Sequence, residues 1–226
     1  MTEMKKTGAA AAAAARSCVD CRRDICGDHP YDPAASYPQF CPTAALAEEK
    51  RAEIMALYEE GRNSEIMQAA AEVEMEGYCV WPRVEEVLQF AQRLGARRIG
   101  IATCVGLIRE AGIFADIARS RGFEVYGLGC KVGAVSKQEV GIPQQCNEVG
   151  VTMCNPVMQA KLLAEAGTDL NVVIGLCVGH DSLFYRYSEA PATTLVTKDR
   201  VTGHNPAAVL YNAKSYWKKL YGRQEE

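Results

Sequence analysis

The chain has 226 residues, 48% of them hydrophobic and 23% charged, which is enough to bury one core and a small appendage. Its net charge of −3 and pI near 5.8 offer no basic field for nucleic acid or for an anionic membrane, so neither partner is expected. No apolar stretch approaches the roughly 20 residues that span a bilayer. We therefore expect no membrane segment and a cytoplasmic location.

The N-terminal segment, residues 1–16, has two lysines followed by a run of alanines up to Ala15. An alanine run without Leu, Ile, Val or Phe makes a poor core for a secretory signal. We predict a disordered, Ala-rich tail here.

Residues 17–45 form a Cys-rich segment without a sustained hydrophobic period, so hydrophobic burial alone cannot order it. Its C-x2-C pair places two thiolates within reach of one metal, and the last of two further cysteines precedes a proline, as is typical of ferredoxin ligation. The segment therefore predicts a metal site formed by four cysteines: Cys18, Cys21, Cys26 and Cys41. Zinc and an iron–sulfur cluster fit these spacings equally well, and His29 is an alternative ligand.

Helical periodicity predicts a helical linker over residues 46–77, and the rest of the chain, 78–221, is predicted as an α/β domain. After a first helix that starts near Pro82, strands alternate with helices. The predicted strands span 98–104, 123–130, 149–154, 170–177 and 192–197, and the predicted helices span 107–120, 156–166, 181–187 and 206–220. Repeated βα units indicate a parallel, Rossmann-like sheet of about five strands with helices on both faces.

Four of the predicted strands each end in a cysteine, namely Cys104, Cys130, Cys154 and Cys177. In one parallel sheet these ends meet at the edge where open α/β sheets bind ligands. Thiolates select soft metals and iron–sulfur clusters, so we expect a second thiolate-ligated centre, with a 4Fe-4S cluster as the favoured occupant. Each cysteine alone could instead be a buried structural thiol. Cys79 and Cys146 are left unassigned, and Cys146 could replace one of the four.

The ten cysteines also allow a secreted disulfide framework. Disulfide-dense domains are usually small and poor in core, whereas this chain has the patterns of long amphipathic helices and apolar strands. A reduced, intracellular set of metal ligands is therefore the favoured explanation.

A different interpretation centres on residues 175–179, Gly-Leu-Cys-Val-Gly, which have the form of a nucleophile elbow with cysteine in place of serine. It predicts a cysteine-nucleophile hydrolase whose histidines act as bases and whose aspartates orient them. The candidate catalytic residues are then Cys177, His180, Asp181 and His204, with Asp199 as a second orienting group. The chain is short for the complete sheet of an α/β-hydrolase, which weighs against this interpretation.

Four stretches resemble an uncharacterised prokaryotic family, designated domain of unknown function 1847 and described as predicted metal-binding proteins. They are GYCVWPRV at 77–84, CNP at 154–156, GLCVGHDSLF at 175–184 and APATTLVTKDRVTGHNP at 190–206. The resemblance runs from about Ser17 to Tyr211 and includes the Cys-rich segment. It implies metal binding and supplies no substrate.

Three functions follow as hypotheses. The first is an iron–sulfur protein with two centres, acting as a redox or sulfur-transfer enzyme on a small molecule, with an electron donor as a further partner. The second is a non-catalytic carrier or sensor of zinc or another metal, and the third is the hydrolase. Under the first hypothesis, His180, Asp181, His204 and residues 198–200 would bind an anionic substrate or deliver a proton. A salt-bridged loop is the alternative for residues 198–200, and a homo-oligomer is left open.

Overall fold

The structure is a computed structural model, and it describes residues 16–22, 25–28 and 30–222. Of the predicted tail, all but Arg16 lies outside the described residues, and so does His29. The chain divides into two compact units, residues 1–64 and 65–226, with the boundary inside the predicted helical linker. Among the described helices, none is long and apolar enough to cross a membrane.

The first unit is built from short helices. They are α1 (Ile25–Asp28), α2 (Pro42–Ala45) and α3 (Glu48–Ala56), with 3-10 turns at Cys18–Asp20 and Leu57–Glu59. Cys41 is 8% exposed and is the one buried residue among those described in this unit. The unit therefore lacks an ordinary hydrophobic core over its described part, as the composition of the Cys-rich segment predicts.

The second unit alternates strands and helices. Its helices are α4 (Asn63–Gly77), α5 (Arg83–Arg93), α6 (Ile108–Ser120), α7 (Pro156–Glu165), α8 (His180–Tyr187) and α9 (Ala207–Tyr211). Its strands are β1 (Arg98–Thr103), β2 (Glu124–Gly129), β3 (Leu170–Ile174) and β4 (Ala192–Val196). Turns of 3-10 helix lie at Val105–Leu107, Lys137–Val140, Gln144–Val149 and Lys218–Tyr221.

The four strands form one parallel sheet in the order β2-β1-β3-β4. All of β3, and all of β1 except its first residue, is buried, as is usual when helices cover both faces of a parallel sheet. Ile99 of β1 is in register with Val125 of β2 and with Leu170 of β3, so these three strands run in step toward one edge. The predicted α/β class with a parallel sheet is confirmed.

The prediction of a strand over residues 149–154 is wrong, and the described sheet has four strands rather than about five. Val149 and Val151 are 85% and 64% exposed, so the alternating apolar residues bury no face against the core. The segment instead folds back on residues 135–137: Thr152 forms an isolated antiparallel bridge with Ser136, and the Met153 amide donates to the Val135 carbonyl at 2.9 Å.

The predicted C-terminal helix over 206–220 is also shorter than expected. Only α9 and the turn at Lys218–Tyr221 are helical, because this segment buries no continuous apolar face: Leu210, Tyr211 and Tyr216 are 74%, 86% and 80% exposed.

Strand order reverses between β1 and β3, because the chain moves from β1 outward to β2 and then returns across β1 to β3 and β4. Parallel crossovers are right-handed, so the opposite directions put α6 on one face and α7 with α8 on the other. An ion pair between Glu85 and Arg121, 2.6 Å long, joins α5 to the end of α6. The reversal creates a topological switch point, where open α/β sheets bind ligands.

The packing at Gly100, in the middle of β1, gives a stability prediction. A methyl group there would overlap the side-chain oxygen of Asn171, which is 1% exposed and bonded to Thr168 and Ser188. We expect Gly100→Ala to lower the free energy of unfolding by about 1–3 kcal/mol in urea titrations. The control is Gly112→Ala on α6, where the methyl group meets nothing within 4 Å and helix propensity favours alanine. Equal losses in both variants would contradict the close packing at Gly100.

The Glu85 carboxylate gives a pH prediction. Its hydrogen bond from Arg121, and a second from Gln89, hold the pKa of Glu85 below its ordinary value of 4.5. Its contribution to stability is therefore complete above that value and is lost as the pH falls through the lower pKa of the folded state. Glu85→Gln should cost a small amount of stability at neutral pH and nothing in acid, as measured by urea midpoints across pH. A loss that is constant with pH would contradict the ion pair.

Candidate functional site

Three strands deliver cysteines to the carboxyl edge of the sheet. Cys104 directly follows β1, Cys130 directly follows β2, and Cys177 lies three residues beyond β3. Gln159 of α7, which is fully buried, fixes the ends of β1 and β2 because its amide donates to the carbonyls of Thr103 at 3.1 Å and Leu128 at 2.7 Å. The edge next to the switch point therefore carries three thiols on a rigid frame.

Cys154 reaches the same edge from the loop that precedes α7. The amide of Asn155 donates to the carbonyl of Cys130 at 2.7 Å, which ties this loop to the end of β2. Asn155 also caps α7, since its side-chain oxygen accepts the amide of Met158. The cap and the backbone bond place Cys154 beside Cys130 without a strand.

The Cys154 sulfur interacts with the Cys130 thiol and with the His180 imidazole. The interaction with Cys130, followed by the one with His180, holds the pKa of Cys154 well below that of an ordinary thiol, which favours its thiolate form. The same contact, reinforced by burial, raises the pKa of Cys130, which stays protonated. The Cys154 thiolate also raises the pKa of His180. Cys130, Cys154 and His180 therefore form one set of interacting groups at the edge.

Cys177 is paired with Arg200. The Arg200 guanidinium donates to the Cys177 sulfur at 3.1 Å, and this bond raises the pKa of Arg200. Cys104 and Cys154 also lie near enough for their charges to raise that pKa further. Arg200 therefore links Cys177 electrostatically to the other edge cysteines.

Two lysines add positive charge at this edge. The Lys131 ammonium donates to the Thr152 carbonyl at 2.5 Å and attracts the Cys154 thiolate, an interaction that helps to lower the pKa of Cys154. A methyl group at Gly106 would lie 3.2 Å from the Lys198 ammonium and 3.8 Å from the Cys104 sulfur, so both groups lie next to Gly106. Sequence reasoning missed Lys131, although its position directly after Cys130 was a usable signal.

The structure does not assemble the predicted hydrolase triad around Cys177. His180 contacts Cys154, and the Nδ1 atom of His204 accepts the backbone amide of Asp199 at 3.0 Å. The Asp181 carboxylate accepts the amide of Ser182 at 2.8 Å. A nucleophile elbow is a strained turn, yet Cys177 is not among the described non-glycine residues with positive φ.

The four cysteines of the N-terminal segment differ in their exposure to solvent. Cys18 and Cys26 are exposed, Cys21 is half-buried and Cys41 is buried. The sulfur of Cys26 lies 3.8 Å from the Thr43 hydroxyl, and the backbone amide of Ala44 lowers the pKa of Cys41. The predicted four-thiolate site stays a prediction.

Within the ranges 16–22, 25–28 and 30–222, no three His, Cys, Asp or Glu side chains are grouped closely enough to hold a single metal ion. Cys79 is exposed, with φ of 57°, beside a cavity of about 500 Å³ that Tyr78, Arg83 and Phe90 also line. Cys146 is half-buried in a 3-10 turn, where its carbonyl accepts the ammonium of buried Lys137. Both cysteines therefore have surroundings different from those of the four edge cysteines.

The contact between Cys130 and Cys154 predicts a specific disulfide in the metal-free protein. We expect the oxidant diamide to take two hydrogens from this pair, giving one S–S bond and the hydrazine form of the reagent. Peptide mass mapping after thiol blocking should show it as the main disulfide among the edge cysteines. Cys154→Ser should abolish it and Cys177→Ser should leave it intact. A dominant Cys104–Cys177 disulfide would contradict the observed pairing.

Two solved structures of Dph2 from Pyrococcus horikoshii, one of them with a 4Fe-4S cluster, are similar to this chain at 20% identity and a TM-score of 0.33. The alignments cover 62% and 64% of this chain but 32% and 34% of the Dph2 chains. The chain thus spans about a third of the length of those proteins. At this TM-score the similarity carries no argument about function.

The sequence comparisons are stronger. Uncharacterized protein MJ0455 of Methanocaldococcus jannaschii is 43% identical over 167 residues, which is 74% of this chain and 86% of that protein. A family model, described as protein of unknown function (DUF1847), matches residues 41–195. The match begins at Cys41, contains the four edge cysteines and His180, and ends before Lys198. The resemblance seen in the sequence motifs is confirmed, and the chain belongs to the DUF1847 family.

Proposed function

We propose that the carboxyl edge of the sheet holds an iron–sulfur cluster through Cys104, Cys130, Cys154 and Cys177. The protein would use it to exchange electrons or sulfur with a small molecule. The observation that carries this proposal is the convergence of four thiols from three strand-to-helix connections beside the switch point.

The donor set fits such a cluster. Thiolates are the ligands that soft metals and iron–sulfur clusters prefer. The edge thiols, together with the other candidate ligands in the described part of the chain, do not group tightly enough for a single ion. A cluster of several irons spreads its ligands more widely than one ion does, which favours a cluster over mononuclear zinc.

Burial divides the four ligands into two pairs. Cys104 and Cys130 are 7% and 3% exposed, whereas Cys154 and Cys177 are half-buried. The buried pair would keep water from one side of the centre, and the half-buried pair would face the direction from which a small molecule approaches. A bound cluster would supply one-electron or sulfur chemistry at that side.

Two basic side chains have roles beside the ligands. Arg200 holds the Cys177 sulfur in place through its guanidinium, which offers further N–H donors. His180 lies against the Cys154 sulfur, and the neighbouring thiolate raises the pKa of the imidazole because it favours the charged form. The imidazole would exchange a proton with a molecule bound at the half-buried side.

The other two hypotheses have less support. A hydrolase needs a base on Cys177, but the side-chain bond to Cys177 comes from Arg200, a donor that cannot accept a proton. A zinc carrier needs a compact ligand set, and the described residues show none. The N-terminal cysteines stay a separate prediction of a second metal site.

Anaerobic purification followed by visible absorption, EPR, and iron and sulfide analysis tests the proposal. We expect broad visible absorption with iron and acid-labile sulfide. Replacing Cys104, Cys130, Cys154 or Cys177 singly by serine should remove most of the iron assigned to the edge. The double variant Cys18→Ser with Cys21→Ser should leave that iron in place.

Cys79→Ser and Cys146→Ser are the matched controls, because each removes one thiol elsewhere in the same unit. Zinc as the sole metal, or iron that survives all four edge substitutions, would refute the proposed centre. Activity of a metal-free protein that is lost on alkylation of Cys177 would support the hydrolase instead.

A further inference from the structure

Three basic side chains lie near the edge thiols, and they come from different parts of the chain. Lys131 follows β2, and Lys198 and Arg200 follow β4. Lys131 is near Cys154, Lys198 is near Cys104, and Arg200 is bonded to Cys177. The carboxyl edge therefore carries positive charge on more than one side.

These cations are not neutralised by carboxylates. Across the described ranges, no ion pair joins Lys131, Lys198 or Arg200 to an Asp or Glu. The nearby Asp199 carboxylate accepts hydrogen bonds from the backbone amides of Val201 at 2.9 Å and Thr202 at 3.1 Å, so it stabilises the turn that follows it. This removes the salt-bridged loop as an explanation for residues 198–200.

The Lys198 ammonium lies close to a glycine. A methyl group at Gly106 would meet this ammonium at 3.2 Å, which is tighter than most carbon contacts, so the lysine would have to shift by a few tenths of an ångström. Glycine at this position therefore leaves room for the ammonium beside Cys104, at the C-terminal end of β1. Lys198 is partly buried there.

Arg200 has unused hydrogen-bonding capacity. Its guanidinium carries five N–H donors in a planar fork that matches a carboxylate or phosphate, and its bond to Cys177 uses one nitrogen. The residue is exposed, so the remaining donors are accessible to a ligand.

We propose that Lys198 and Arg200 bind a small molecule through an oxyanion group, either a carboxylate or a phosphate, and hold it against the half-buried side of the thiol centre. This deepens the proposed function by naming its substrate class. The ammonium would supply a point charge and the guanidinium a bidentate contact. Lys131, which lies near Cys154, would add to the attraction.

The test uses isothermal calorimetry with inorganic phosphate and with succinate, each titrated into cluster-loaded protein and into metal-free protein. We expect at least one probe to bind. Lys198→Gln and Arg200→Gln should each weaken that binding roughly tenfold or more, as loss of a charge-assisted hydrogen bond implies. Phosphate binding alone would indicate a phosphate ester as substrate, and succinate binding alone a carboxylate.

Gly106→Ala provides a milder variant, because it shifts the Lys198 ammonium by a few tenths of an ångström while every charge is kept. It should weaken the same probe less than Lys198→Gln does. Lys161→Gln and Arg119→Gln are the controls: each removes one positive charge from an exposed ion pair elsewhere, on α7 and on α6. Both should leave the affinity within about twofold of the wild type.

The proposal fails if neither probe binds, or if the control variants weaken binding as much as the site variants do. The anion site and the iron–sulfur cluster can be tested separately. Probe binding that depends on Lys198 and Arg200 in a protein that never takes up iron would keep the anion site and refute the cluster. Iron uptake without probe binding would support the cluster and refute the anion site.

Discussion

The pairing of β1 with β2 on one side and with β3 on the other is the constraint on which the candidate site depends. Because all three strands are parallel and in register, their carboxyl ends stop at one edge. Three cysteines follow those ends at short distances in the chain, so the sheet positions them without any contact between the cysteines themselves. Gln159 then ties α7 to the ends of β1 and β2, which fixes the helix that begins just after Cys154.

The central strands could be predicted from the sequence because their apolar runs are buried on both faces. The run at 149–154 has a similar apolar alternation, but its pattern could not show that the segment bonds to residues 135–137 instead of joining the sheet. Cys154 reaches the edge through the backbone bond from Asn155 to Cys130, a contact that the strand pattern does not encode. The sequence also does not show which side chains contact one another. It suggests His180 as a base for Cys177, whereas in the structure His180 interacts with Cys154.

At Cys154, the surrounding groups favour the thiolate form even though the side chain is half-buried. Burial alone raises the pKa of a thiol, because it disfavours the charged form. Here a donated hydrogen bond from Cys130, a second from His180 and the charge of Lys131 outweigh that penalty at Cys154. Cys130 and Lys131 directly follow β2, and His180 is the first residue of α8. The ionisation of Cys154 therefore depends on the sheet being folded.

The loop that carries Cys154 is held mainly by contacts within itself. Residues 135–137 bond to residues 151–153, and the ammonium groups of Lys131 and Lys137 bond to the carbonyls of Thr152 and Cys146. Such short-range contacts form quickly, because they close small loops at little entropic cost. Three of the four thiols are positioned by the sheet, and the fourth lies on a locally bonded loop that is joined to the end of β2 by the Asn155–Cys130 and Lys131–Thr152 bonds. Completion of the thiol set therefore depends on contacts outside the strand pairing, so a change in this loop can displace one thiol while the other three keep their places.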